Sequence, residues 1–247
     1  VDVSVVEVAS GVWQARAAHV CWVLIVDRDG TTLVDTGYPG DKERVIASLG
    51  KIGRAPADVD AVVLTHAHPD HLGSAEYFRS QVGKPVRVHQ QEKANATGEH
   101  VEQVSVPTLL KRARRPSVLV WFVQAGIGLK AAQVQRLGTV ETFSGGSLDV
   151  PGRPLAIHTP GHTSGHAVLH LPDQGVLVAG DALMTEHALA TSSGPQMLPD
   201  FFNTNTSQAR ASLELLRPLN ADVVLPGHGP AFHGTPNQAV DLALQYP

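Results

Sequence analysis

Ala61 to Leu64 is an unbroken apolar run, and it stops directly at Thr65-His66-Ala67-His68-Pro69-Asp70-His71. A strand with one face in water alternates apolar and polar residues, so a run without alternation marks a strand covered on both faces. That constrains the chain to a layered α/β architecture with this strand inside it. It also puts three histidines and an aspartate at the strand's carboxyl end, where such architectures gather their ligand-binding loops.

Three further segments repeat the arrangement. His162 lies in Thr159-Pro160-Gly161-His162-Thr163-Ser164-Gly165-His166, Asp181 in Ala179-Gly180-Asp181-Ala182, and His228 in Leu225-Pro226-Gly227-His228-Gly229, each after an apolar stretch. The small residue beside each lets the backbone turn sharply and come close to an ion. Imidazole and carboxylate without thiolate suit Zn, Fe or Mn and argue against a purely structural zinc site.

The 247 residues include 13 His but a single Cys, Cys21, which excludes an intrachain disulfide framework and a cysteine-based zinc cluster. Cys21 precedes Trp22 in an apolar run and reads as a buried core residue. The net charge of −4 disfavours a broad basic surface for nucleic acid. No apolar run approaches the roughly 18 residues that span a bilayer. The chain opens on Val1-Asp2-Val3-Ser4 without a basic-then-apolar leader. Expected partners are therefore a small-molecule substrate, with no nucleic acid and no membrane, in a cytoplasmic setting.

Along the chain, strands are predicted at Val3 to Val8, Val12 to Ala15, Cys21 to Val26, Thr31 to Val34, Val86 to Val88, Leu155 to His158, Ala167 to Leu171, Val176 to Val178 and Asp222 to Leu225. Helices are predicted over Asp41 to Leu49, after His71 where Leu72, Ala75 and Phe78 share a face, near Ser207 to Leu216, and from Pro236 onward. Residues 90–137 read as a mainly helical insertion within one domain covering 1–247. A faint internal echo links Thr32-Leu33-Val34-Asp35-Thr36-Gly37 with Val176-Leu177-Val178-Ala179-Gly180-Asp181, which suits two β-rich halves packed face to face.

Taken in order, H-x-H-x-D-H, Gly-His, Gly-Asp and Gly-His-Gly, the motifs resemble the metallo-β-lactamase superfamily from Trp13 to about Phe232. The resemblance implies a four-layer αββα sandwich with two metals at one edge. By it, His66, His68 and His162 would hold the first metal, Asp70, His71 and His228 the second, and Asp181 would bridge them, with Asp35 of the Asp-Thr-Gly turn orienting a ligand from behind. Five neutral imidazoles and two carboxylates then leave a positive site that favours a bound hydroxide. The expectation is two divalent ions, zinc ahead of iron or manganese, with a bridging hydroxide attacking a scissile carbonyl. Asp70 is the catalytic residue in this scheme, orienting that hydroxide and passing a proton to the leaving group.

Departures from branches of the superfamily narrow the substrate class. The commonest β-lactamases carry Cys where this chain has Asp181, and other di-zinc β-lactamases lack the bridging Asp. Glyoxalase II shares the seven ligands but adds a helical domain, whereas nineteen residues follow His228 here. The layout is most similar to single-domain lactonases and esterases, which implies cleavage of an ester, thioester or lactone. Those lactonases place a Tyr after the bridging Asp, but the tyrosines here are Tyr38, Tyr77 and Tyr246. His187, or Phe201 and Phe202, are the candidates to line the pocket instead.

In the insertion, Leu109, Leu110, Val118, Leu119, Trp121, Phe122, Ile127 and Leu129 suit either a lid over an apolar part of the substrate or a homodimer face. Lys111, Arg112, Arg114 and Arg115 read as a solvated surface. Two other functions compete with hydrolysis: an iron-dependent oxygenase of the persulfide dioxygenase type, and a ligand-sensing protein that retains the site. Of the remaining histidines, His89 reads as a strand-end residue bonded to backbone, and His166 and His170 as structural.

Overall fold

Runs that are apolar at every position become strands whose alternate side chains enter two different cores. The computed structural model describes residues 2–18, 20–104, 134–187, 190 and 192–245. Strands β1 (Ser4–Ala9), β2 (Val12–Arg16), β3 (Cys21–Asp27), β4 (Gly30–Val34), β5 (Ala61–Val63), β6 (Val86–His89) and β7 (Glu141–Phe143) form one sheet in that order. Strands β8 (Gly146–Ser147), β9 (Leu155–His158), β10 (Ala167–Leu171), β11 (Val176–Gly180), β12 (Val223–Pro226) and β13 (Phe232–His233) form the other, also in sequence order.

The two sheets meet through Val23, Ile25, Val34, Val63, Leu169, Leu171, Val176, Val178 and Leu225. Their alternate neighbours point the other way. Trp22, Leu24, Leu33 and Val62 pack beneath α1 (Lys42–Lys51), α2 (Pro69–Leu72), α3 (Ala75–Tyr77) and α4 (Lys93–Thr97). Val168, Leu177 and Val224 pack beneath α5 (Thr206–Leu213) and α6 (Pro236–Gln245). Three cores and four layers result, the expected αββα sandwich. Burying each of these aliphatic side chains contributes roughly 1.5–3 kcal/mol.

Strand β4 pairs antiparallel with β3 and parallel with β5. In the second sheet, β11 pairs antiparallel with β10 and parallel with β12. The faint echo between Thr32–Gly37 and Val176–Asp181 therefore falls on topologically matching strands. The parallel pairs bring the carboxyl ends of β4, β5, β11 and β12 to one edge, and that edge is stitched across the sheets. Ala167 N donates to Thr65 O at 2.9 Å and Cys21 N to Gly227 O at 2.8 Å.

Two expectations need correcting. The helix after His71 is broken into α2, α3 and a π-helical turn over Phe78–Val82, although Leu72, Ala75 and Phe78 all reach the core as expected. The break falls at Gly73, where the backbone of Gly37 to Pro39 packs so closely that any Cβ would run into it. The sequence reading also missed β7, β8 and β13, which are two or three residues long and carry little apolar signal. Of the 90–137 insertion, the structure describes a turn at Gln90–Glu92, α4 and the flanking residues up to 104 and from 134. The candidate lid and basic residues between Leu109 and Leu129 lie outside the described residues. Among the described residues, no helix is long and apolar enough to cross a membrane.

Candidate metal centre

Each element ending at the shared edge delivers its side chains through a specific backbone device. The loop after β5 carries His66 and His68; His68 is extended (φ −68°, ψ 153°) and Pro69 begins α2, fixing the first turn that presents Asp70 and His71. Asp181 follows β11 directly, and Gly227-His228 follows β12. At Gly227 a Cβ would collide with Asp181 Oδ1, so only glycine lets the β12 loop come this close.

The structure brings all seven sequence-predicted ligands together in two groups. His66, His68, His162 and Asp181 form one, all buried; Asp70, His71 and His228 form the other, with Asp70 partly exposed. Within each group one donor atom per residue lies within 4.8 Å of all the others. Asp181 stands between them: Oδ2 is 3.4 Å from His162 Nε2 and 3.3 Å from His228 Nε2, while Oδ1 is 3.3 Å from His71 Nε2. His68 Nδ1 and His162 Nε2 are 2.9 Å apart.

The far nitrogens of three of these rings are held by other groups, which fixes which nitrogen faces inward. His66 Nδ1 meets Thr65 Oγ1 at 3.1 Å, His71 Nδ1 meets Asp35 Oδ2 at 2.9 Å, and His162 Nδ1 meets Asn203 Oδ1 at 3.1 Å. Asp35 also accepts from Thr65 N and Thr65 Oγ1, both at 2.8 Å, and takes a left-handed φ of 61° to do so. The supporting place that the family resemblance implied for Asp35 is where the structure puts it.

Inside this shell, His66 Nε2, His71 Nε2 and Asp181 Oδ1 are buried with no hydrogen-bond partner. Buried polar atoms are almost always hydrogen-bonded, and here even the 3.3 Å approach of His71 Nε2 to Asp181 Oδ1 is not a formed hydrogen bond, so these inward-facing atoms mark a place built for something electrophilic. The electrostatics agree. Burial, reinforced by the neighbouring imidazoles, holds His66 well below its ordinary value and His162 down to about 3. Burial also pushes His71 and His228 down, but Asp181 and its neighbouring carboxylates outweigh it and lift both. Asp181 is held well below the usual carboxylate range, the His228 and His71 charges overcoming its burial. Imidazoles and carboxylates gathered in this way fit divalent metal ions.

Sequence reasoning missed several supporting residues. His166, read as structural, accepts from Asp181 N through Nε2 at 3.1 Å while its Nδ1 meets Thr159 Oγ1 at 2.8 Å, so it positions the shared carboxylate. Glu92 and Asn203 lie in polar stretches with no motif to flag them. His187, a candidate for the pocket wall, has its ring centroid 5.1 Å from that of His228 and 5.9 Å from Phe202. Phe201 and Phe202 lie against each other at 4.5 Å. His89 accepts from Gln91 N, as a strand-end residue should, and stacks on His158 at 4.0 Å. Cys21 is buried with its thiol pushed up to about 12, which leaves no nucleophile there.

A family profile described as the metallo-beta-lactamase superfamily matches residues 16–228. Among curated proteins, a probable metallo-hydrolase of Bacillus subtilis, YflN, is 29% identical over 206 residues, covering 80% of this chain and 74% of that protein. Among solved structures, a metallo-beta-lactamase family protein from Thermus thermophilus superposes with a TM-score of 0.67 at 24% identity, covering 97% of this chain and 80% of that one. MEM-A1, a subclass B3 metallo-beta-lactamase from a soil metagenome library, gives 0.66 at 15% identity, covering 98% and 93%. At these identities the two structures speak for the fold alone.

Proposed function

The chain belongs to the metallo-beta-lactamase superfamily, and from that premise we propose that it is a two-metal hydrolase that cleaves an ester, thioester or lactone of a small molecule with an apolar portion. His66, His68 and His162 would hold one ion, Asp70, His71 and His228 the other, and Asp181 both. The observation that carries this is the gathering of seven His and Asp side chains into two adjoining groups around Asp181, in which His66 Nε2, His71 Nε2 and Asp181 Oδ1 are buried without a formed hydrogen bond. Divalent ions there, zinc first and iron or manganese as alternatives, supply Lewis acidity and a water whose pKa is lowered to roughly 7.

The chain's own residues do the rest. Asp70 has the most open carboxylate at the centre, with a side chain 17% exposed, and its Oδ2 is 3.5 Å from His228 Nε2. It can take a proton from the attacking water and pass it to the leaving oxygen or sulfur. Asp35 and Asn203 keep the His71 and His162 rings from turning. His187, beside Phe202, supplies a wall for the acyl or alkyl part.

The superfamily hosts many chemistries on one fold, so the substrate class must come from turnover. A panel of lactones, thioesters, aryl esters, β-lactams and phosphodiesters run on zinc-loaded protein tests it: hydrolysis of carboxylic esters, thioesters or lactones is expected. Turnover of phosphodiesters alone, or of β-lactams alone, would overturn the substrate class. One iron per chain with oxygen consumption would overturn hydrolysis in favour of the oxygenase reading.

A further inference from the structure

Outside the ligands, the most heavily bonded buried charge near this edge is Glu92, fully buried in the turn after β6. Its four hydrogen bonds divide evenly. Oε1 accepts from Ala67 N at 2.8 Å and from Asn95 Nδ2 at 2.7 Å; Oε2 accepts from Thr163 Oγ1 at 2.7 Å and from Gly165 N at 3.0 Å. Ala67 sits between His66 and His68, and Thr163 follows His162. One carboxylate therefore ties together the loops that supply three of the four donors of the buried group, one loop from each sheet.

The surroundings are cut to this purpose. Gly165 presses so closely on the backbone of Gln91 and Glu92 that a Cβ there would collide with it. Arg136 Nη1 donates to Ala67 O at 3.0 Å and Asn95 O at 2.9 Å, placing a compensating cation on the same network. Glu102 extends it: its carboxylate accepts from Ser164 N at 2.7 Å and its N–H donates to Asn95 Oδ1 at 3.1 Å. A carboxylate in a dry site is costly to keep unless every acceptor position is filled, as here.

Building on the two-metal reading, we propose that Glu92 is a positioning residue that sets the spacing between His66 and His68 on one sheet and His162 on the other, and so sets the affinity and geometry of that ion site. It touches no ligand side chain; it acts through the backbone between them. The isostere Glu92→Gln keeps the volume but turns one oxygen into a donor facing two donors, so one of the two loops must retreat.

The test is titration of metal-stripped protein with Zn2+ and with Co2+ alone, for wild type, Glu92→Gln and Thr163→Val, the last removing a single donor at lower risk to folding. Glu92→Gln is expected to weaken one of two ion sites by about 10- to 100-fold and to change the Co2+ absorption spectrum, with Thr163→Val in the same direction but smaller. Thermal unfolding is followed in parallel. Unchanged ion affinities and Co2+ spectra in both folded variants would overturn the proposal and leave Glu92 a stabilising residue only. Should Glu92→Gln fail to fold, Thr163→Val decides by the same criteria. Absence of tight ion binding in wild type would instead overturn the two-metal reading itself.

Discussion

The two groups of candidate ligands meet at Asp181 but are built differently. His66, His68, His162 and Asp181 are buried and straddle both sheets, so their spacing depends on how the halves are held together. Asp70 and His71 come from one short helix, α2, and need only His228 from the other sheet, with Asp70 partly exposed. Two buried carboxylates stand behind them: Asp35 bonded to His71 and, through Thr65 Oγ1, to His66, and Glu92 bonded to the loops around Ala67 and Thr163. One group is buried throughout; in the other the Asp70 carboxylate is partly exposed.

The largest break of that contrast is removal of what the groups share. Asp181→Ala should abolish binding at both groups, weakening ion affinity by more than the roughly 100-fold seen for outer partners and taking activity with it; isothermal titration with Zn2+ checks this. Asp70→Asn should act on the open group alone. Its expected signature is a stoichiometry lowered by one ion and a collapse of turnover, with the buried group still loaded, read by elemental analysis. Asp35→Asn loses the charge that holds His71 directly and His66 through Thr65 Oγ1, and should weaken the open group by about 10- to 100-fold with a smaller loss at the buried one. His187→Ala should raise KM for substrates with a long apolar part by about 10-fold with kcat little changed.

The smallest effect concerns acid. Burial, aided by the charge of His162, holds His166 down to about 3 from 6.5. Its unfolded form therefore binds a proton that the folded form refuses, so the metal-free fold loses stability as pH falls from about 6.5 toward 3. His166→Gln, which can still accept from Asp181 N, should flatten that part of the curve of urea midpoint against pH; an unchanged slope would show that His166 does not carry it.

The sequence made the ligands legible because each sits next to an apolar strand and beside a small or turning residue, a local pattern that survives without the fold. Asp35 was legible only through the family resemblance, as part of its Asp-Thr-Gly turn. Glu92 was not, since Gln90-Gln91-Glu92-Lys93 reads as a polar surface, and only the meeting of two loops distant in sequence buries it. His166, read as structural, is so, but it lies just before β10, and the sequence could not show that it takes the Asp181 N–H. Likewise the short edge strands carried no apolar pattern, their order coming from the neighbours they pair with.

The most direct measurement is the content of divalent ions per chain after exhaustive dialysis, made on wild type and Asp70→Asn side by side. Two ions in wild type and one in the variant are expected. A single ion in both would contradict a two-metal centre.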